Sequence, residues 1–216
     1  MKIFVGILSA RINVVGPIAR LLEWAQEPST HEVKVAIDET FGLDAGRSAL
    51  IDRAKAWGPD LCLFFDSDVI PELPLEDFVE FINQDLRLGY AAVVSVTLSA
   101  SHQLMVFKPD NSAFQSPYEI PTDRVFEVGR AALGFFAISG EALPKLAVLD
   151  TQPFINGPSQ PLYCVYRPDR DDSYSLCDNI RESCGRLACD PRLKVQHMKL
   201  QGIPSWRDGM LPPGPA

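Results

Sequence analysis

LCLFFDSDVIPELP, residues 61–74, is the stretch on which the reading of this chain turns. Residues 61–65 are apolar throughout, the pattern of a strand buried on both faces of a mainly parallel sheet. The run then breaks on Asp66-Ser67-Asp68, and Pro71 and Pro74 follow. In open α/β sheets, ligands bind outside the carboxyl ends of the strands. Two carboxylates there are close enough to share one hard divalent cation, which takes oxygen ligands and keeps substrate phosphates in its shell. Taken alone, the Asp-x-Asp is equally a polar turn that closes a strand.

The surroundings extend the pattern. KIFVGILS (2–9) reads as a buried strand, and Ile18, Leu21, Leu22 and Ala25 fall at helical spacing within 16–27. VKVAID (33–38) is a second strand, ending on Asp38, and 47–57 places Leu50, Ile51 and Ala54 on one helix face. Beyond the Asp-x-Asp, the spacing predicts a helix over 75–88, strands over 91–98 and 133–139, a hairpin strand over 104–107 and a short helix over 140–146. Residues 151–170, rich in Pro, Gly, Ser and Asn, read as a loop. A helix over 173–184 follows, capped by Gly185, then extended pieces at 186–190 and 193–197. Strand–helix alternation of this kind indicates an α/β fold with a mainly parallel central sheet flanked by helices. One domain over 1–205 and a C-terminal tail over 206–216 are expected, with Trp206 and Arg207 as surface residues.

Composition narrows the classes. A hydrophobic fraction of 46% in 216 residues suits a globule with a sizeable core. The formal net charge of -8 argues against a protein that grips a nucleic-acid backbone. No apolar run is long enough to span a bilayer. The N-terminal apolar stretch is short and Arg11 follows at once, so it reads as a core strand rather than a signal peptide, and a cytoplasmic location is expected. The five cysteines form no CxxC pair, which disfavours structural zinc and leaves reduced thiols as the expectation.

LCLFFDSDVIPELP and DDSYSLCDNIRESCGRLACDPRLKVQH (171–197) together resemble the GT-A glycosyltransferase superfamily, especially its small inverting, family-2-like members. The resemblance covers roughly residues 2–200 and implies the GT-A fold. It implies that Asp66 and Asp68 hold Mn²⁺ or Mg²⁺ and the diphosphate of a nucleotide sugar, with Asp66 near the ribose and Asp68 as direct ligand. It implies His197 as the third protein ligand, and an imidazole suits Mn²⁺ better than Mg²⁺. Asp38 matches a carboxylate near the nucleobase, Ser9 lies where base and ribose would sit, and Arg47 resembles an arginine preceding the helix that leads to the Asp-x-Asp strand. Gly134 resembles the glycine of the strand lining the donor-sugar and acceptor site.

The resemblance breaks at the acidic pair that supplies the general base. The ungapped register puts it on Asp172-Ser173; a shift of one residue puts it on Asp171-Asp172. Asp172 is acidic in both and is the expected base, with Asp171 the alternative; the bland reading of both is a pair of helix N-terminal carboxylates. The function implied is metal-dependent transfer of a sugar from a nucleotide-diphosphate sugar to an acceptor hydroxyl, with inversion. The acceptor could be a glycan, a lipid-linked sugar, a protein or a small molecule. Two alternatives stand beside it. A nucleotidyltransferase is disfavoured because ILSARINVVG lacks a Gly-rich phosphate loop, and a degenerate, non-catalytic binding module finds its best support in Ser173.

Overall fold

The computed structural model describes residues 1–9, 15–39, 42–96, 105–154, 157–166 and 171–197; for 15–17, 117, 153–154, 157–158 and 197 it describes the backbone alone. In chain order the elements are β1 (Lys2–Leu8), α1 (Val15–Ala25), β2 (Glu32–Asp38), α2 (Leu43–Trp57), β3 (Leu61–Asp66), β4 (Val69–Pro71), α3 (Leu75–Arg87) and β5 (Ala92–Val94). Then come β6 (Val106–Phe107), β7 (Phe126–Val128), β8 (Arg130–Ala131), β9 (Phe135–Ser139), β10 (Asp150–Phe154), β11 (Gly157–Leu162), α4 (Asp172–Ser183), β12 (Leu187–Cys189) and β13 (Val195–His197).

Seven strands form the central sheet in the order β2-β1-β3-β9-β5-β12-β7. Strands β2, β1, β3, β5 and β12 run one way, and β9 and β7 run against them. The α/β class with a mostly parallel sheet is therefore as the sequence indicated. Strand β3 lies at its centre and is covered on both faces. Leu61, Leu63 and Phe65 join one core with Leu21 and Trp24 of α1 and Phe78 and Ile82 of α3. Cys62 and Phe64 join the other, with Leu50 and Ile51 of α2 and Leu176 and Ile180 of α4. That two-sided burial is why residues 61–65 carry no polar side chain.

Cross-strand aromatic pairs fix the register of β3 on β9. Phe64 stacks on Phe136 at 4.6 Å between centroids on one face, and Phe65 meets Phe135 at 4.8 Å on the other. Truncating any of these rings to alanine removes a buried aromatic, a loss of about 3–5 kcal/mol.

Several local readings need correction. Residues 151–170 are not simply a loop: β10 and β11 pair as an antiparallel hairpin, its register shifting between Gln152 and Phe154. The prolines and glycines that suggested a loop sit in a ribbon separate from the central sheet, where fewer ladder bonds are required. In the 104–107 piece, Phe107 makes the local antiparallel bridge expected of a hairpin, to Ala113, and Val106 and Phe107 also pair with the distant Ala131 and Arg130; residue 104 lies outside the described residues. Helix α2 begins at Leu43, before the expected start at Arg47. The 140–146 helix shrinks to a 3-10 turn at Leu143–Lys145. Strand 91–98 is seen only as Ala92–Val94; its far end, the tail and the Trp206–Arg207 expectation lie outside the described residues. Gly185 does follow α4 with φ 130, its N–H donating to Ile180 O at 3.0 Å. All five cysteines are free. Among the described residues no helix is long and apolar enough to cross a membrane.

Candidate functional site at the carboxyl edge of the sheet

Strand register brings the expected donor-side residues to one edge. Leu8 is in register with Asp38 on one side and with Asp66 on the other. The Ser9 N–H donates to Asp38 O at 2.8 Å, and the Asp66 N–H donates to Gly134 O at 2.8 Å. Ser9, Asp38, Asp66 and Gly134 thus line the carboxyl ends of β1, β2 and β3 and the start of β9. Asp38 is 2% exposed, and its Oδ2 accepts from Arg53 Nη2 at 2.8 Å; Arg53 also reaches Ile37 O. Arg53 drew no attention in the sequence because a lone charged residue on a helix is usually solvated.

Arg47, 3% exposed, is the hinge of the site. Its Nη1 donates to Asp172 Oδ2 at 2.6 Å and to Ser173 Oγ at 3.4 Å. Its Nη2 donates to Asp66 Oδ1 at 3.0 Å and to Leu133 O at 3.3 Å. Both prongs of the guanidinium fork are thus engaged by protein atoms. One residue of α2 ties the Asp-x-Asp strand, the approach to β9 and the start of α4 together.

The charges are unbalanced. Burial works to lower the pKa of Arg47, but Asp66 and Asp172 overcome it and raise the value, so the guanidinium stays charged. Burial pushes the Asp66 carboxyl up to about 6 against the pull of Arg47, with Asp68 and Asp172 adding repulsion. Burial also raises Asp172, Arg47 opposes this, and Asp171 and Asp44 add negative charge. Carboxylates outnumber this one buried arginine, an arrangement that favours a further cation.

The two candidate bases differ sharply. Asp172 is 1% exposed and bound to Arg47. Asp171 is exposed, holds an extended backbone (φ -62, ψ 148) and caps α4, its Oδ1 accepting from Ser173 N at 2.8 Å. The cap satisfies one of the free amides of the first helical turn.

Strands β4 and β13 pair antiparallel, with Val69 opposite His197, Ile70 opposite Gln196 and Pro71 opposite Val195. The Glu72 N–H continues the contact to Lys194 O at 3.0 Å. Asp68 stands on the turn that enters β4, one residue before Val69, which pairs with His197, so the two stretches adjoin although the sequence separates them widely. Among the described residues no three His, Cys, Asp or Glu side chains form a metal-binding cluster, and the side chain of His197 lies outside that description. The donor set of two strand-end carboxylates beside a histidine-bearing strand fits a divalent cation of the Mn²⁺ type. Asp66 fits less well as a ligand than Asp68, because Arg47 already takes its Oδ1.

No protein-family model matches the chain, and no curated protein matches it in sequence. Among solved structures it is similar to A197 from STIV, with TM-score 0.54 and 15% identity over 92% of this chain and 95% of that one. The two share a fold over nearly their whole lengths. Weaker likenesses are to CMP:2-keto-3-deoxy-manno-octonic acid synthetase complexed with CTP (TM-score 0.39, 14% identity, 67% of this chain and 77% of that one) and to HddC from Yersinia pseudotuberculosis (TM-score 0.32, 13% identity, 65% and 78%). At that level of superposition neither bears on activity.

Proposed function

We propose that the protein is a metal-dependent glycosyltransferase of GT-A type that moves a sugar from a nucleotide-diphosphate sugar to an acceptor hydroxyl. The observation that carries this reading is the pairing of β4 with β13, which joins the Asp-x-Asp turn to the strand bearing His197. Two distant stretches that resemble one family in sequence thereby become neighbours in space.

In this account Asp68 and His197 hold the cation, and Asp66 keeps one carboxylate oxygen beyond the one bound to Arg47. When bound, the cation supplies positive charge for the departing diphosphate. Ser9 and Asp38 receive the nucleoside, with Arg53 fixing the Asp38 carboxylate. Arg47 holds Asp66 and α4 in place instead of touching the donor. We assign the base to Asp171, since its carboxylate is exposed while that of Asp172 is committed to Arg47. A base must reach the acceptor hydroxyl directly or through one water.

The test is release of nucleoside diphosphate from a panel of nucleotide sugars, with and without Mn²⁺. Metal-dependent release from at least one donor supports the reading. A non-catalytic binding module would release none.

A further inference from the structure

A second buried charge cluster joins α3 to the turn after β12. Asp85 of α3 and Asp190, which follows β12, are both 0% exposed. Arg192 serves both of them. Its Nη2 donates to Asp85 Oδ1 at 3.0 Å and to Asp190 Oδ2 at 2.8 Å, while its Nε and backbone N–H each reach Asp190 Oδ1 at 2.9 Å. Its guanidinium lies 4.7 Å from the Phe81 ring centroid. Two carboxylates therefore share one arginine in the interior. The Asp85 Oδ2 atom is buried and receives no donor, yet the Asp85 side chain lies within hydrogen-bonding reach of Asp190. An ionised Asp85 would leave that oxygen unsatisfied and an uncompensated charge buried. A proton on the Asp85 carboxyl removes the uncompensated charge and lets the group donate to Asp190.

We propose that Asp85, Asp190 and Arg192 form a latch that carries one proton and positions the strand bearing His197 against the Asp-x-Asp turn. The backbone provides the connection. The Asp190 N–H donates to Val94 O at 2.9 Å, and the Leu193 N–H to Asp190 O at 3.2 Å. Leu193, 1% exposed, packs into the α3 core, and Lys194 O accepts from Glu72 N just before β13 pairs with β4. The latch thus ties α3 and β12 to the turn that delivers β13. Its residues are positioning residues; none of them is a ligand in the proposed site.

The titratable and charged groups facing Asp85 are Asp190 and Arg192 from the turn and the Cys189 thiol at the end of β12. Strand β5, which packs against α3, presents only Ala92, Val93 and Val94. Burial, then the bond and charge of Asp190, push the Asp85 carboxyl up to about 7, with Arg192 pulling the other way. A carboxyl raised above its unfolded value contributes stability that is fully present below about pH 4 and is lost as pH rises through about 7.

The decisive experiment follows the Asp85 carboxyl carbon by ¹³C NMR in the metal-free wild-type protein. The latch requires a titration midpoint near 7; a midpoint below about 5 overturns it. Asp85→Asn supplies the second arm, because its amide donates to Asp190, accepts from Arg192 and cannot titrate. Between about pH 6 and about pH 8 the wild-type Tm should fall by at least about 2 °C relative to Asp85→Asn. Parallel curves overturn the proposal. The positioning role rests on the proposed metal site. At about pH 8, Asp85→Asn should bind Mn²⁺ at least about fivefold tighter than wild type, with equal affinity at about pH 6. Equal affinity at both pH values overturns the positioning role. Absence of Mn²⁺ binding from both proteins contradicts the metal site, and the carboxyl titration still decides the latch.

Discussion

Arg47 Nη1 lies 2.6 Å from Asp172 Oδ2, with both side chains almost wholly buried. The pair joins α2 to the start of α4, and the other prong of the same guanidinium holds Asp66 at 3.0 Å. Residues that sequence reading assigned separately to donor binding, metal binding and base catalysis are thus one electrostatic unit. Their energetics cannot be perturbed independently.

Removing the cation should therefore be felt as stability. Arg47→Met leaves the buried Asp172 and the part-exposed Asp66 without their shared counter-charge. Breaking a buried ion pair from one side costs about 3–5 kcal/mol, measurable by urea unfolding. Arg47→Lys keeps the charge but not the fork, so it should fall between wild type and Arg47→Met. A loss below about 1 kcal/mol for Arg47→Met, the range of an exposed pair, would show that the network contributes little.

The two acidic neighbours at the start of α4 should separate by phenotype. Asparagine caps a helix about as well as aspartate, so Asp171→Asn keeps the cap and removes only the carboxylate. Turnover should drop by about 10²–10⁴-fold with donor affinity and Tm nearly unchanged. Asp172→Asn should lower Tm instead, since it weakens a buried charge-assisted bond to Arg47. Loss of turnover confined to Asp172→Asn, in a protein of normal stability, would restore Asp172 as the base.

Asp66 gives a pH signature. Burial lifts its carboxyl to about 6. The folded state thus holds a proton that the unfolded chain has already released, and stability falls as pH rises from about 4 to about 6. Asp66→Asn removes that dependence. The metal-free variant should melt higher than wild type above about pH 6 while losing donor binding. A lower Tm for the variant across that range would mean that the Arg47–Asp66 bond outweighs the burial of the carboxylate.

Much of this organisation was legible in the sequence. The unbroken run Leu61–Phe65 announced a strand with two covered faces, and the structure puts a core on each side of it. Asp66 and Asp38 were legible as strand ends because apolar runs stop on them. The hairpin at β10–β11 was not, since its prolines and glycines carry the local signature of a loop while its pairing is a property of two segments together. The engagement of Arg47 and Arg53 escaped for a related reason. Whether an arginine on a helix is solvated or buried against carboxylates depends on tertiary neighbours, here Asp172 and Asp38, that no local spacing encodes. The preference for Asp172 over Asp171 rested on register alone, and register says nothing about which carboxylate is reachable.

The central claim is that Asp68 and the strand bearing His197 form a metal-dependent site for a nucleotide-sugar donor. Titration calorimetry with a panel of nucleoside diphosphates tests it most directly, in wild type with Mn²⁺, in wild type with chelator, and in Asp68→Ala with Mn²⁺. The account predicts binding of at least one nucleoside diphosphate in the first case and its loss in the other two, with Asp68→Ala still folded. Binding of equal strength in all three, or none in wild type with Mn²⁺, would contradict it.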